Sequence, residues 1–282
     1  MNIRLKFLFS ALMITALFFG FIHIYFPAKD YSFERLHIFL FNLCTGGSIL
    51  LYYTQGQTRV SKTVRFFFLG SLVYAFSAFF KFYPLTLLVT VLLFVLVEKI
   101  RIERFDLFPL AFFSPKEPVS KKFHQASLLC LSIGLVMAGL VILNNEYFKL
   151  VTMAKLTLNT FFLGFSFPLS LITLSLVFSM LTDMEKDRMK AVMECCFWTI
   201  TLGVIVFFLF ILFEKFMPQI FVTTALFLAV VTVFILYYRF AEKIQQKMFL
   251  ASGIGFLIFT AITGIAYIFM QMSQDYDPTR TK

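Results

Sequence analysis

The chain has 282 residues, of which 60% are hydrophobic and 14% are charged, and its mean hydropathy is +0.88. Soluble globular proteins have about 45–50% apolar and about 25% charged residues. This chain therefore carries more apolar surface than its own interior can bury, which excludes a soluble enzyme, a disordered chain and a disulfide-rich secreted domain. The formal net charge is +10, but cations beside a membrane serve orientation and lipid contact, so nucleic acid is not an expected partner.

Nine apolar segments, each bounded by charged residues or by proline, follow one another along the chain. Each is near the length that about 30 Å of hydrocarbon requires at about 1.5 Å per helical residue. The sequence therefore predicts an all-α, polytopic transmembrane helix bundle, forming a single transmembrane domain over residues 1–282. The predicted spans are about residues 7–26, 36–53, 66–80, 84–97, 126–143, 157–181, 192–213, 219–238 and 248–270.

The distribution of Lys and Arg predicts the number and direction of the spans, because positive residues in short loops stay on the cytoplasmic side. With nine spans and the N-terminus inside, the inner segments hold 17 of the 25 cations and the outer segments hold 8. If 66–80 and 84–97 formed one span, the inner count would fall to 10 against 14 outside, with Lys81 in the bilayer. We therefore expect nine spans, a cytoplasmic N-terminus, an outer C-terminal tail and a bacterial cytoplasmic (inner) membrane.

The motifs of the common enzyme and metal sites are missing from the sequence. It contains no nucleotide-binding loop of the GxxxxGK or GxGxxG type, no HExxH or GxSxG motif, and no convincing Ser/His/Asp set. All four Cys lie within predicted spans and lack CxxC spacing, so they are expected to act as small apolar residues. We therefore assign no catalytic residue and no metal ligand, and expect a non-enzymatic protein.

One predicted span near the N-terminus carries a stripe of polar side chains. At 3.6 residues per turn, span 36–53 places His37, Cys44, Thr45, Ser48 and Tyr52 within about 100° of arc. Such a stripe indicates the face of the helix that turns away from lipid. We therefore expect Thr45 and Ser48 to line any site that the bundle contains.

Span 157–181 is longer and more polar. Asn159, Ser166, Ser170 and Thr173 share one face, and Pro168 removes the backbone hydrogen bond to the carbonyl of Gly164. A kink that frees a carbonyl beside hydroxyl groups is one way in which transporters build sites near the midplane, and ordinary bundles bend in the same way. The predicted substrate-lining residues are therefore Asn159, Ser166, Pro168, Ser170, Thr173, Thr45 and Ser48, with simple helix packing as the alternative.

Two histidines are candidate cofactor ligands. His23 lies near the outer end of the first span and His37 near the outer start of the second, at similar depth on adjacent helices. Two neutral imidazoles can hold a haem b iron, and one beside aromatic residues can hydrogen-bond a quinone. The alternative is that each histidine bonds to a loop carbonyl or a lipid headgroup. His124, at the inner mouth of span 126–143, is expected to be solvated.

The connector 98–125 is predicted to be a basic and aromatic cytoplasmic loop. Its apolar stretch 105–113 suits an interfacial segment on the inner leaflet, with a loop tucked against the bundle or a docking surface for a cytoplasmic protein as alternatives. Its cations are expected to contact anionic lipid headgroups. They are Lys99, Arg101, Arg104, Lys116, Lys121 and Lys122.

The predicted spans contain a single carboxylate, Glu194, which follows Lys190 by four residues within about a turn of the inner surface. We expect it to be a snorkelling surface group rather than a proton relay or cation site. Ion-driven transport through midplane carboxylates is therefore disfavoured. In the last span, Ala251 with Gly255 and Thr260 with Gly264 form small-xxx-small pairs, which predict close helix contacts.

Three functions of different classes fit these patterns. The first is a non-enzymatic accessory subunit of a membrane complex, or a carrier for a small neutral or apolar solute lined by the second and sixth spans. The second is a membrane redox subunit that binds haem b or quinone through His23 and His37. The third is a membrane sensor that signals through the 98–125 loop to a membrane or cytoplasmic protein.

Overall fold

The computed structural model of the protein describes residues 3–25, 31–57, 59–153, 155–181, 187–242 and 245–275. These residues form nine long helical segments and no β-strand, apart from one isolated bridge between Leu181 and Ala241. The predicted all-α class is therefore confirmed over the described residues. The helices are α1 (Ile3–Tyr25), α2 (Phe33–Gln55), α3 (Lys62–Phe79), α4 (Tyr83–Arg104), α5 (Val119–Phe148), α6 (156–179), α7 (Asp187–Leu212), α8 (Phe216–Phe240) and α9 (Gln245–Asp275).

Seven of these helices are long and apolar enough to cross a membrane: α1, α2, α5, α6, α7, α8 and α9. The protein is therefore an integral membrane protein by the length and composition of its helices. Helices α3 and α4 are not among the seven, so the count of nine spans stays a prediction, as do the direction of the chain and the identity of the membrane. The end of the predicted outer tail, from residue 276, lies outside the described residues.

The segments 66–80 and 84–97 form two helices joined by a tight turn, not one kinked helix. The turn ends α3 at Phe79 and places Lys81 in the left-handed backbone region, with φ of 60°. Thr86 Oγ1 donates to Ser77 Oγ across the pair at 2.9 Å, and a Cβ on Gly70 would lie 3.2 Å from Leu93 Cδ2. Residues 77 and 86, and 70 and 93, are therefore opposite each other, as in an antiparallel helical hairpin.

Local capping explains where several helices begin and end. Ser32 Oγ accepts a hydrogen bond from the backbone N–H of Arg35, and Ser61 Oγ accepts one from that of Val64. Both are N-caps that satisfy a free donor in the first turn. Gly56 ends α2 with φ of 61°, a conformation that glycine adopts without steric cost.

The chain divides into two compact units. The first unit comprises Met1–Lys116 and His124–Ile172, and the second comprises Glu117–Phe123 and Thr173–Lys282. The core of the first unit is built from α1 to α6 and includes the buried side chains of Leu43, Phe67, Leu93 and Leu135. The core of the second unit includes Phe123, whose ring contacts those of Phe178 and Phe197 at centroid distances of 5.3 and 5.0 Å.

Within the first unit, helices α5 and α6 touch through their backbones at Gly134 and Gly164. A Cβ built on Gly164 would lie 2.7 Å from the Cα of Gly134, and a Cβ on Gly134 would overlap the backbone of Gly164. Neither position can hold a side chain without separating the helices. This contact was not predicted, although Gly134 and Ala138 form a small-xxx-small pair like those of the last span.

The close contacts predicted for the last span are not found. A Cβ on Gly255 or on Gly264 would have open space around it, with no atom of the described chain within 4 Å. The prediction is therefore wrong for the two glycines within the described chain. Helix α9 buries little of its apolar length, although Ala251 is buried.

We predict that Gly134→Ala lowers the stability of the protein, because the added methyl group must push α5 and α6 apart at a cost of about 1–3 kcal/mol. The matched control is Gly253→Ala, whose Cβ would meet no atom within 4 Å. There, the higher helix propensity of alanine should leave stability unchanged or raise it by up to about 1 kcal/mol. Thermal unfolding of both variants in detergent measures the difference, and equal melting temperatures would contradict the backbone contact.

Candidate functional site

Two helices of the first unit contain wide π-helical turns that pack against each other. In α2 the π-helical segment runs over Phe39–Gly47, and in α6 it runs over Phe162–Ser166. A π-helical turn shifts the backbone hydrogen bonds by one residue and occurs frequently at functional sites. We refer to residues 39–47 and 162–166 as the paired π segments. The packing of these two segments against each other in the first unit is the main irregularity of the fold.

Proline explains the irregular turn in α6. Pro168 has no N–H to bond the carbonyl of Gly164, and the backbone N–H of Phe167 bonds the carbonyl of Phe162, five residues back. The predicted kink therefore takes the form of a π-helical turn immediately before the proline. The described part of α2 has no proline, so nothing comparable in its sequence marks its longer π segment.

A hydrogen bond between side chains joins the paired π segments. Asn42 Nδ2 donates to Ser166 Oγ at 2.8 Å. Ser166 is among the predicted lining residues, whereas Asn42 is not, because at 3.6 residues per turn it falls outside the polar stripe of span 36–53. The widened turn of α2 changes that periodicity. The presence of an amide side chain within an apolar span is the one sequence signal that would have found it.

The remaining predicted lining residues have different surroundings. Thr45 Oγ1 donates to the carbonyl of Leu40 at 3.0 Å, so its hydroxyl hydrogen is bonded within its own helix. Ser48 is fully buried, and Asn159 is nearly so. Ser170 is half-buried in the first unit, whereas Thr173 belongs to the second unit.

Three buried polar atoms beside the paired π segments have no hydrogen-bond partner within the described part of the chain. They are Ser48 Oγ, Tyr74 OH and Asn159 Nδ2. A buried donor or acceptor without a partner costs about 1–3 kcal/mol. Nearly all such groups in folded proteins are satisfied by protein, water or ligand. The three atoms lie at different levels along α2 and α6, and each marks a separate point where the first unit can accept a polar group of a guest molecule.

Aromatic rings connect Tyr74 to both π segments. Its ring lies 5.1 Å from that of Phe39 in α2 and 6.1 Å from that of Phe165 in α6, centroid to centroid. Phe161 closes the cluster, at 4.9 Å from Phe39 and 5.9 Å from Phe165. Tyr74 is not among the predicted lining residues, because a single tyrosine within an apolar span is also typical of packing.

His37 is fixed against helix α1. Its Nδ1 lies 2.8 Å from the carbonyl oxygen of Ala16, and its ring would lie 3.3 Å from a Cβ on Gly20. Because a carbonyl oxygen only accepts, Nδ1–H is the donor, which in the neutral ring leaves the lone pair on Nε2. His23 Nε2 instead lies 3.7 Å from the carboxylate of Glu34. His37 thus has a hydrogen-bond partner, whereas His23 Nδ1 is buried with none in the described chain, and the cofactor assignment stays a prediction.

His124 is not solvated as expected. Its Nε2 is 2.8 Å from Thr54 Oγ1, and its ring packs against those of Tyr53 and Phe105 at 5.3 and 5.2 Å. Thr54 Oγ1 donates its only proton to the carbonyl of Leu50, so His124 Nε2–H is the donor to Thr54. The imidazole therefore holds the start of α5 against the end of α2.

Glu194 pairs with a lysine distant in sequence. In the second unit, Lys122 Nζ donates to Glu194 Oε1 at 2.6 Å, and the side chain of Lys122 is only 2% exposed. The expectation of a snorkelling carboxylate supported by Lys190 is therefore wrong, as is the expectation that Lys122 is free to contact headgroups. Arg101 is likewise buried, in an ion pair with Glu98. No group of three or more potential metal ligands occurs among the described residues.

We predict that Lys122→Met destabilises the protein by about 3–5 kcal/mol, because it leaves the Glu194 carboxylate partly buried without its cation. The double variant Lys122→Met/Glu194→Leu should recover much of that loss. The matched control is Lys121→Met, which breaks a surface pair with Glu117 and should cost about 0–1 kcal/mol. Unfolding in mixed detergent, followed by helicity, measures all three. A double variant no more stable than the single one would contradict the pairing.

No protein-family model, no curated protein and no solved structure matches this chain. The functional conclusion therefore depends on the chemistry of the residues around the paired π segments.

Proposed function

We propose that the first unit is a membrane carrier for a small, uncharged solute with hydroxyl or amide groups, which binds at the paired π segments. The single observation that carries this proposal is the set of three buried polar atoms without partners in the described chain, Ser48 Oγ, Tyr74 OH and Asn159 Nδ2. A solute that hydrogen-bonds to these atoms in turn, as it moves along α2 and α6, would remove the cost of burying each one unpaired.

The composition of the site supports an uncharged solute. The paired π segments read FLFNLCTGG and FLGFS, and neither contains Asp, Glu, Lys, Arg or His. A charged solute would need a counter-charge or many hydrogen bonds to enter such a low-dielectric site. Amide and hydroxyl groups beside aromatic rings instead suit a neutral molecule with both polar and apolar faces.

The irregular helices support movement of the solute. Wide turns leave backbone carbonyls less tightly paired, and transporters place such broken helical segments around their substrates. Asn42 and Ser166 bridge the two segments by one neutral hydrogen bond, which contributes about 0.5–1.5 kcal/mol. A bond of this size can be exchanged for one to the solute.

We predict that vesicles containing the protein take up urea or glycerol faster than empty vesicles, and that Tyr74→Phe and Ser48→Ala each lower this flux roughly 3–10-fold, as expected for one lost hydrogen bond. Stopped-flow light scattering measures the uptake. The control is Thr224→Val, which removes an exposed hydroxyl that bonds only within its own helix in the second unit. Flux equal to that of empty vesicles, or unchanged in both site variants, would contradict the proposal.

A second measurement separates a binding role of Tyr74 from a structural one. Without solute, its buried hydroxyl has no partner in the described chain, so Tyr74→Phe should leave the melting temperature unchanged or higher. A hydroxyl needed for packing would instead lower both the melting temperature and the flux. Protein that is stable and inactive in flux, but co-purifies with another membrane protein, would favour the accessory-subunit alternative.

The redox alternative is favoured by one observation, the arrangement of His37. An imidazole that donates Nδ1–H to a backbone carbonyl and keeps the lone pair of Nε2 is typical of histidines that bind metal. We predict that, if His37 binds haem b, the purified protein has a Soret band that His37→Ala abolishes. Purified protein with no Soret band and no bound quinone would remove this alternative.

A further inference from the structure

A short segment after helix α4 displays large apolar side chains on its surface. Leu107, Phe108, Leu110 and Phe113 are 56%, 68%, 72% and 73% exposed. They lie within seven residues of one another, and a 3₁₀ turn over Leu110–Phe113 gives the end of the segment a defined backbone. We refer to residues 105–113 as the apolar loop.

The apolar loop is fixed to the first unit by its backbone. The Arg101 guanidinium donates to the carbonyls of Asp106 and Leu107 at 3.2 and 3.1 Å. Arg101 itself is buried and is held by both carboxylate oxygens of Glu98, at 2.9 and 2.7 Å. Phe105 turns inward onto the His124 ring. The loop therefore presents its apolar side chains from a rigid base.

The pattern of backbone bonds suits a surface that is poor in water. Within the loop, Leu110 N–H bonds the carbonyl of Phe108 and Phe112 N–H bonds that of Pro109, at 2.8 and 3.1 Å. Together with the Arg101 contacts, these bonds satisfy several backbone groups from within the protein. A segment enters the boundary between headgroups and acyl chains at lower cost when its backbone groups are satisfied in this way.

Helix α4 links the loop to a surface that lipid would cover. Its exposed apolar residues Leu88, Val95 and Ile102 recur every seven residues along one face, and Ile102 lies three residues before the loop. Exposed cations lie nearby in sequence at Lys99, Arg104 and Lys116. Apolar side chains beside lysine and arginine are the composition of segments that lie at the membrane surface.

We propose that the apolar loop inserts Leu107, Phe108, Leu110 and Phe113 into the headgroup–acyl boundary of a phospholipid bilayer, as an anchor for the first unit. This inference does not depend on the carrier proposal. It assigns lipid, not a second protein, as the occupant of the exposed surface.

The test places a fluorescent indole in the loop. The chain has one tryptophan, Trp198, so Trp198→Phe provides a background without signal. Phe108→Trp in this background is compared with Gln57→Trp, a matched control at an exposed polar position in the same unit. Both are reconstituted in vesicles of phosphatidylcholine and phosphatidylglycerol, with and without acyl-brominated phosphatidylcholine. Leu110→Trp replaces Phe108→Trp if the latter does not purify as folded protein.

We expect the Phe108→Trp indole to emit at shorter wavelength than the Gln57→Trp indole, to lose about half of its intensity with brominated lipid, and to resist quenching by aqueous iodide. The Gln57→Trp indole should show the opposite pattern. Quenching of the Phe108→Trp indole by iodide but not by brominated lipid would overturn the proposal by showing an exposed loop. Shielding from both quenchers would overturn it in favour of contact with protein.

Discussion

The first unit depends on the absence of side chains where three helices meet. Gly134 and Gly164 let the backbones of α5 and α6 touch, and Leu169 of α6 occupies the space that a Cβ on Gly46 of α2 would need. The Sγ–H of Cys130 in α5 donates to the carbonyl of Leu163 in α6 at 3.4 Å, which the same close approach allows. These contacts fix α6 beside α2 and thereby bring their π-helical turns together.

Buried charged groups and buried neutral polar groups have different surroundings in this protein. Buried charges occur as pairs with short contacts, Glu98 with Arg101 in the first unit and Lys122 with Glu194 in the second. Around the paired π segments the polar groups are neutral, and several are without partners in the described chain. A paired buried charge holds structure in place, whereas an unpaired neutral group costs less and can gain a partner. The first unit therefore combines one buried ion pair with buried neutral polar groups that have no partner in the described chain.

The sequence predicted the parts of the fold that depend on apolar runs and on the charged or proline residues that interrupt them. Apolar runs located the helices, and the break at Lys81 separated α3 from α4. Pro168 indicated an irregular α6. The π segment of α2 was not predicted, because no proline in the helix marks it. A uniform 3.6-residue period therefore assigned Asn42 to the wrong face. The partner of Glu194 was missed because Lys122 lies 72 residues away, and local spacing favoured Lys190. Contacts between distant segments leave no periodic signal in one sequence.

The π-helical turns also have a consequence for motion. A wide turn accommodates one residue more than an α-helical turn, so it can migrate along the helix by exchanging one backbone hydrogen bond for the next. Each step rotates the side chains that it passes, while the ends of the helix stay in place. Helix α2, whose π segment is not fixed by a proline, can in this way redirect Asn42 without tilting against α6. A change of this kind moves side chains within one helix and requires no rigid-body rotation of one helix against another.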